Sequence, residues 1–258
     1  MDKEKKKNLK EFFENIDYDW KSCNIELDSG LQIIDFESSA FEISPNDFLE
    51  YAYNDFSLSN EHGYINALTN VKRAIECQCE IILSSFGLPY KNKDFPTKIR
   101  KLEKMGISPS IIFEKINSKR VDLEHFYKKP DSKSVEDAIQ IAQLFLDVTN
   151  YSLSTFWVDS FLFQSKDENS YIKREKYSLE LMYNGIWISY KEKEYKYEIK
   201  KLKDGKSEDE IIVTKNDGDD YLKLINLTIK CGKNSAQLND EDENTQKRII
   251  NEFISNIF

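Results

Sequence analysis

The sequence has little Gly and Pro, and it lacks long apolar runs. Its 258 residues include eight Gly and five Pro, too few for a long disordered or linker-dominated architecture. No apolar run approaches the roughly 18 residues that a membrane-spanning helix needs. The basic N-terminus leads into no apolar segment of the kind a signal peptide requires. These absences predict a cytoplasmic globular protein that makes no contact with membranes.

Cysteine is also scarce, and its spacing is not that of a metal site. Two of the four cysteines, Cys77 and Cys79, lie two residues apart on a predicted helix, hence about 200° apart around its axis. We therefore expect buried thiols in a reducing compartment, neither a disulfide nor a zinc site. The sequence predicts no metal and no cofactor.

Histidine is the scarcest residue that matters for acid–base chemistry, with only His62 and His125 in the chain. It is the side chain whose unperturbed pKa lies near neutrality. His125 lies within residues 117–130 together with Arg120 and Tyr127, on the last turns of a predicted helix. Any metal-free acid–base catalysis at neutral pH is therefore expected there. His62 is expected to be an exposed or capping residue at the start of another helix.

The net charge of −9 argues against indiscriminate binding to nucleic acid, but the charge is unevenly distributed. Residues 91–129 carry a net charge of +6, from eleven Lys and Arg against five Asp and Glu. A basic surface of this kind could hold a short phosphodiester. The alternative is that these lysines form the solvated faces of two helices. The sequence leaves both interpretations open.

Residues 44–86 contain two strong helix signals. Ser44 before Pro45, with Asp47 at the third position, predicts a helix start and a helix running to about Phe56. Residues 60–86 form the longest periodic stretch in the chain, with apolar residues at alternating three- and four-residue spacing. The predicted buried stripe of this helix is Leu68, Val71, Ile75, Cys79, Ile82 and Phe86.

Three further helices are predicted before the sequence changes character. One covers about 96–105 and ends at Gly106, the expected left-handed position. The next starts near Pro109 and must end at Pro130. The last is capped by residues 131–134, and its predicted buried stripe is Val135, Ala138, Ile139, Ala142, Phe145, Leu146 and Thr149.

After about residue 151 the pattern is that of β-strands, with period-two alternation of Tyr, Ile, Val, Phe and Trp. Asn184-Gly185 is the strongest hairpin-turn signal in the chain. Residues 24–36 suggest a second hairpin. Short helices are predicted at residues 3–16 and 245–258. An acidic, polar loop is expected around 239–244. The predicted strand segments are 155–163, 171–183, 186–203, 209–215 and 220–230.

These elements predict an α+β protein: a helical bundle, then an antiparallel β-rich region with a C-terminal helix. The expected domains are residues 1–43, which would pack on the β-rich region, the bundle at 44–152, and the β-rich domain at 153–258.

On a regular helix Arg120 and His125 lie about 140° apart. They converge only if the helix unwinds near its end or if a second chain completes the site. Val121 lies beside His125 on the outward face, which favours a two-fold interface between two copies. Cleavage of RNA by its own 2′-OH needs a base for that hydroxyl and an acid for the leaving 5′-oxygen. Two copies of His125 across a dimer would supply both.

The other polar residues of this segment have supporting roles in this interpretation. Arg120 would hold the phosphate, while Asp122 and Tyr127 would orient the histidine or contact substrate. Weaker RNA contacts are expected from Lys119, Lys128 and Lys129. The non-functional alternative is an ordinary surface helix, with Arg120 paired to Glu124 and with His125 favoured by the helix dipole.

The spacing Arg, four residues, His, one residue, Tyr, formed by Arg120, His125 and Tyr127, resembles the HEPN superfamily of helical-bundle proteins. These proteins occur in bacterial toxin–antitoxin and anti-phage systems, and one branch of toxins carries this spacing. The resemblance covers about residues 45–150. One position departs from it: the residue after the motif arginine is usually Asn, Asp or His, and here it is Val121.

The resemblance implies a homodimeric, metal-independent endoribonuclease with its site at the dimer interface. By this resemblance, Arg120 and His125 are the expected catalytic residues. The tyrosine is modified by a partner nucleotidyltransferase in the related toxins, so Tyr127 would be a control point. The leading hypothesis is an RNA-cleaving toxin or defence effector that acts with an antitoxin or defence-system partner protein. The alternative is a non-catalytic dimeric module that binds a partner protein.

Overall fold

The computed structural model describes residues 7–17, 20, 23–27, 41–107, 129–156, 161–165, 185–203, 206–239 and 242–258. The fold is α+β, as predicted. The chain forms two compact units, one of residues 1–34 with 155–258 and one of residues 35–154. No helix in the described part of the chain is long and apolar enough to cross a membrane.

The described elements, numbered in chain order, are as follows. The helices are α1 (Leu9–Glu14), α2 (Pro45–Ser57), α3 (Glu61–Ser85), α4 (Phe95–Lys104), α5 (Ser132–Ser154), α6 (Asp219–Lys233), α7 (Ser235–Asn239) and α8 (Glu243–Ile257). The strands are β1 (Cys23–Leu27), β2 (Phe161–Ser165), β3 (Gly185–Lys191), β4 (Lys196–Lys203) and β5 (Lys206–Thr214).

The helix starts and ends in unit 35–154 follow the capping signals of the sequence. Ser44 and Asp47 form a reciprocal capping box around Pro45, which confirms the predicted start of α2. Helix α4 begins one residue earlier than predicted, because Asp94 accepts a hydrogen bond from the Thr97 amide. Gly106 follows α4 with a φ of 71°, the predicted left-handed conformation.

The core of this unit is built around α3, which packs against α2, α4 and α5. The predicted stripes of α3 and α5 are buried, except that Leu68 is partly exposed. One polar link crosses the core: the Gln78 amide donates to Thr149 Oγ1 at 3.0 Å and to Asn150 Oδ1 at 2.9 Å. The helix predicted between Pro109 and Pro130 lies outside the described residues.

The other unit contains an antiparallel sheet in the order β1-β2-β3-β4-β5. The predicted antiparallel sheet is therefore confirmed, and the predicted segment 186–203 forms β3 and β4 as a hairpin. Trp187 pairs with Lys200 across that hairpin. The predicted strand at 171–183 and the turn residue Asn184 lie outside the described residues.

The prediction of a strand at 220–230 is wrong, because these residues belong to helix α6. The aromatic and β-branched residues of this segment favour a strand, but Lys223, Asn226, Lys230 and Lys233 recur at three- and four-residue spacing and form the partly exposed face of α6. The charge pattern did contain a helix signal. Asp219 and Asp220 lie in the first turn and Lys230 and Lys233 in the last, as the helix dipole favours.

Three tyrosines and a threonine form a polar cluster inside this unit. Tyr190 Oη lies 3.2 Å from Tyr221 Oη, and Tyr197 Oη lies 2.9 Å from Thr228 Oγ1. The Thr228 hydroxyl donates to Leu224 O, so Tyr197 is the donor to Thr228. Burial raises the pKa of all three tyrosines. The cluster joins the sheet to α6.

The terminal helices of this unit differ from their predicted limits. Helix α1 begins at Leu9, after a capping box at Asn8, although a start at residue 3 was predicted. Helix α8 begins at Glu243 and buries its predicted residues, except that Ile254 is only partly buried. The loop predicted around 239–244 is shorter, because α7 extends to Asn239.

Candidate functional site

Most of the predicted site lies outside the described residues. This holds for Lys119, Arg120, Asp122, His125, Tyr127 and Lys128, all within 108–128. Their convergence within one chain or across a dimer therefore stays a prediction. The structure describes the chain up to Ile107 and again from Lys129 onwards.

Lys129 is the one predicted site residue that the structure describes. Its Nζ lies 2.9 Å from Oε2 of Glu61, the first residue of α3. The two side chains are 75% and 53% exposed, so the ion pair contributes little to stability. The ion pair does show where Lys129 lies: this residue, near the end of the predicted motif segment 117–130, is beside the start of α3. As an RNA contact, Lys129 would have to exchange the Glu61 carboxylate for a phosphate.

The start of α3 is held in place by a tight turn after α2. Ser59 adopts a left-handed conformation with a φ of 51°, and Asn60 Oδ1 caps the helix by accepting from the Gly63 amide at 2.9 Å. A Cβ on Gly63 would lie 2.3 Å from the carbonyl oxygen of Asp55. Only glycine allows this approach of α3 to α2, so the first turn of α3 has a defined position.

Four polar side chains follow one another along α3 from this turn. His62 Nδ1 and Asn66 Nδ2 lie 3.1 Å apart, on an exposed part of the helix. Further along, Asn70 donates to Asp55 Oδ2 on α2 at 2.8 Å, and its Oδ1 lies 3.5 Å from an Arg73 nitrogen. The expectation of an exposed histidine is confirmed, whereas the helix cap is Asn60. The four side chains are thus one imidazole, two amides and one guanidinium.

Lys98 on α4 is part of a largely buried ion cluster with two carboxylates of α3. Its Nζ lies 2.8 Å from Glu76 Oε1 and 2.5 Å from Glu80 Oε1, and the Lys98 side chain is 5% exposed. Burial disfavours the ammonium, but the two carboxylates outweigh it and raise the pKa of Lys98. Lys98 therefore belongs neither to a basic surface nor to a solvated helix face.

The remaining cations of the described basic region lie around α4. Lys101 Nζ donates to Pro89 O at 2.8 Å, and burial together with the charge of Lys93 lowers the pKa of Lys101. Lys91 and Arg100 are exposed. The positive charges of Lys93 and Lys101 lie close enough to repel each other, and an anionic ligand would relieve that repulsion. A phosphodiester-binding surface around α4 therefore agrees with these positions.

The cysteines and carboxylates that the structure describes are not arranged as a metal site. All four cysteines are buried thiols, as predicted. Burial raises the pKa of Cys77 to about 11 and that of Cys231 to about 12, so neither is a ready metal ligand or nucleophile. Within the described ranges, no group of three or more His, Cys, Asp and Glu is arranged to hold a metal ion.

Comparison of the chain with protein-family models, with curated proteins and with solved structures finds no match. The HEPN resemblance therefore rests on the residues themselves: the Arg120, His125 and Tyr127 spacing and the order of the helices around it.

The sequence indicated the motif segment but not what lies beside it. The ion pair between Lys129 and Glu61 places Lys129 beside the first turn of α3, which carries His62. No spacing rule connects residues 61 and 129, because only the tertiary fold brings Lys129 to the start of α3. The predicted helix over residues 60–86 was the signal that placed His62 at an exposed helix start.

Proposed function

We propose that the chain is a metal-independent endoribonuclease of the HEPN type, acting as a toxin or anti-phage defence effector. Arg120 binds the scissile phosphate and offsets its growing negative charge, and His125 performs proton transfer. The observation that carries this proposal is the Arg120, His125, Tyr127 spacing, within a segment flanked on both sides by helices of one unit.

The described surroundings support this proposal. The segment is preceded by the basic region around α4 and followed by α5, which packs on α3. Helices α2 to α5 form a single compact unit with a continuous apolar core, as a HEPN-like bundle requires. The chemistry follows from RNA itself: the 2′-oxygen attacks phosphorus, the bond to the 5′-oxygen breaks, and the products carry a 2′,3′-cyclic phosphate and a 5′-hydroxyl.

The proposal includes a cytoplasmic homodimer regulated by an antitoxin or a defence-system partner protein. Tyr127 is the expected site of that regulation, and Asp122 orients the catalytic groups. Lys119, Lys128 and Lys129 contribute the weaker RNA contacts. The β-rich unit selects the substrate or binds the partner.

The second candidate is a non-catalytic interaction module, favoured by large apolar side chains that α2 and α5 expose. Tyr51 and Tyr53 on α2 are 44% and 46% exposed, and Leu144 and Tyr151 on α5 are 53% and 57% exposed. Side chains of this size on two neighbouring helices suit a protein partner. Such a module needs neither Arg120 nor His125.

Expression in a bacterial host separates the two candidates. The ribonuclease predicts growth arrest with the wild-type chain, relieved by His125→Ala at an equal protein level. Arg120→Ala is expected to give the same relief, and Gln140→Asn, an exposed position on α5, should not. An interaction module predicts equal growth with all four chains. Light scattering on the purified protein tests the dimer separately, because a monomer at every concentration would exclude a two-chain site.

A further inference from the structure

A group of cations lies around the start of α4, in the described part of unit 35–154. Residues 91–104 carry a net charge of +4, from six Lys and Arg against Asp94 and Glu103, although the whole chain has a net charge of −9. We propose that Lys93, Arg100 and Lys101 bind the phosphodiester backbone of RNA, at a site separate in the chain from the motif segment 117–130. The inference rests on the proposed ribonuclease function, which supplies the identity of the ligand.

The side chains of Arg100 and Lys101 both reach back toward the beginning of α4. Arg100 Nη2 donates to Thr97 Oγ1 at 3.1 Å, one turn earlier on the helix. Lys101 Nζ donates to Pro89 O at 2.8 Å, in the loop between α3 and α4. Lys93 lies in the same loop, close enough for its charge to act on Lys101. The three cations therefore lie around one end of the helix.

The loop that carries Lys93 is held in place by hydrogen bonds. Leu88 is buried, and its amide donates at 2.8 Å to a carbonyl of the last turn of α3. The Lys93 amide donates to Tyr90 O at 3.2 Å across a turn in which Asn92 has a φ of 58°. Since the bond from Lys101 also joins this loop to α4, the cations are positioned before a ligand binds. Binding then costs less conformational entropy.

This arrangement of positive charge is electrostatically unfavourable in the free protein. Lys93 precedes the capping residue Asp94, and the Arg100 guanidinium lies beside the third residue of α4, although the helix dipole disfavours cations at this end. Burial lowers the pKa of Lys101, and the charge of Lys93 lowers it further. One carboxylate, that of Asp94, faces three cations. A bound phosphate would offset the remaining charge.

The three cations also differ from other lysines of the chain in having no carboxylate partner. Lys98 on the inner face of α4 pairs with two carboxylates, and so does Lys133 on α5. Within the described ranges, no carboxylate lies within ion-pair distance of Lys93, Arg100 or Lys101. After its bond to the loop carbonyl, the Lys101 ammonium keeps two N–H donors for a ligand.

The cations form a row along the surface, which suits a chain of phosphates. Lys91 precedes the three cations, Lys104 follows Arg100 by one helical turn, and both are exposed. A strand of RNA carries one negative charge per nucleotide, so successive phosphates can contact successive cations. Glu103 lies two residues after Lys101, hence about 200° away around the helix. Its carboxylate therefore leaves the cationic face of α4 accessible to the backbone.

Binding of an RNA that cannot be cleaved tests this site separately from catalysis. The probe is a fluorescein-labelled 2′-O-methyl RNA of about 16 nucleotides, the upper end of the site sizes known for single strands. Its anisotropy is measured against protein concentration, in EDTA and at several salt concentrations. The α4 variant is Arg100→Gln/Lys101→Gln. The control variant is Lys133→Gln/Lys247→Gln, which removes the same charge from exposed positions on other helices.

The α4 variant is expected to bind the probe at least about tenfold more weakly than the wild type, because two charged hydrogen bonds to phosphate are lost. The slope of log K against log salt should fall in magnitude by about 1.4, from about 0.7 for each lost contact with a single strand. The control variant should change the affinity by less than about threefold, since distant exposed charges are screened. Probes of different sequence should lose affinity by the same factor, because phosphate contacts carry no sequence information.

Lys93→Gln tests the site at an exposed loop position, outside helix α4. It should lower the magnitude of the salt slope by about 0.7, the loss of one phosphate contact. Thermal unfolding checks that this variant, the α4 variant and the control variant are folded.

Three results would overturn the inference. Wild-type affinity and salt slope in the α4 variant would remove these cations from RNA binding. Equal losses in the α4 and control variants would show that only the net charge matters, and no binding by the wild type would exclude the site. Cleavage of total RNA is measured separately: intact RNA together with the expected loss of binding would defeat the ribonuclease proposal and leave the phosphodiester site in place.

Discussion

The ammonium nitrogen of Lys98 lies 2.8 Å from Oε1 of Glu76, with only 5% of the lysine side chain exposed. A second contact, from Lys98 to Glu80, also joins α4 to α3. Helix α4 belongs to the basic region, residues 91–129. A buried ion cluster is weak evidence of net stabilisation, but removing one partner from it leaves the other charges uncompensated.

Replacing Lys98 is therefore expected to destabilise the bundle. Lys98→Met should lower the free energy of unfolding by about 2–4 kcal/mol, somewhat less than for a fully buried pair because the carboxylates are partly hydrated. Lys104→Met, at an exposed position of the same helix, should change it by less than about 0.5 kcal/mol. Urea unfolding of the two variants measures both values, and equal effects would show that the cluster is energetically neutral.

The raised pKa of Lys98 also predicts a pH dependence. A lysine whose pKa is higher in the folded state contributes its full stabilisation below the unfolded pKa of about 10.4. That contribution is lost as the pH rises through the folded pKa. The difference in unfolding free energy between wild type and Lys98→Met should thus be constant near neutrality and shrink in strong alkali. A difference that grows with alkaline pH would contradict this sign.

The buried tyrosines predict alkaline unfolding of the β-rich unit. Burial raises the pKa of Tyr190, Tyr197 and Tyr221 above their unfolded value of about 10, so the unfolded state loses protons first as pH rises. Stability should therefore fall above about pH 10, with the tyrosinate absorbance of these three residues appearing together with the loss of circular dichroism. Ionisation of Tyr190, Tyr197 or Tyr221 in a still folded unit would contradict the placement of these residues.

Two buried glutamines form a matched pair for a stability test, since each is 4% exposed. Gln246 Oε1 accepts no hydrogen bond from the described part of the chain, whereas the Gln78 amide donates two. Gln78→Leu should cost about 1–3 kcal/mol, and Gln246→Leu should be neutral or stabilising, because it removes a buried polar atom that lacks a partner. Denaturant midpoints compare the variants, and a larger loss with Gln246→Leu would refute this account.

The four buried thiols should react slowly with a disulfide reagent in the native protein. Burial raises the pKa of Cys77 to about 11 and of Cys231 to about 12, and only the thiolate is nucleophilic. All four should react rapidly after addition of denaturant. Fast native labelling of any one thiol would show that its part of the core opens locally.

The parts of the fold that the sequence predicted correctly are those with local signals. Ser44, Pro45 and Asp47 determine the start of α2 through their own side chains and backbone, so their order was sufficient. Gly106 likewise marked the end of α4. In α6, however, the aromatic and β-branched residues favoured a strand, and the three- and four-residue spacing of Lys223, Asn226 and Lys230 is the helix signal that the prediction missed.

The sequence predicted only those site residues that lie close together along the chain. Arg120, His125 and Tyr127 are close in sequence, so their pattern was visible without a fold. The burial of Lys98 and the approach of Lys129 to Glu61 depend on the packing of separate helices. No local rule could have distinguished Lys98 from its solvated neighbours, since the carboxylates that bind it lie 18 and 22 residues away.

The central claim is that Arg120 and His125 cleave RNA without a metal. It is tested most directly by incubating total cellular RNA in EDTA with the wild-type chain, Arg120→Ala and His125→Ala. The account predicts cleavage by the wild type alone, with 2′,3′-cyclic phosphate ends and with equal thermal stability of all three chains. Intact RNA with the wild type at every concentration tested would contradict the claim and favour the interaction module.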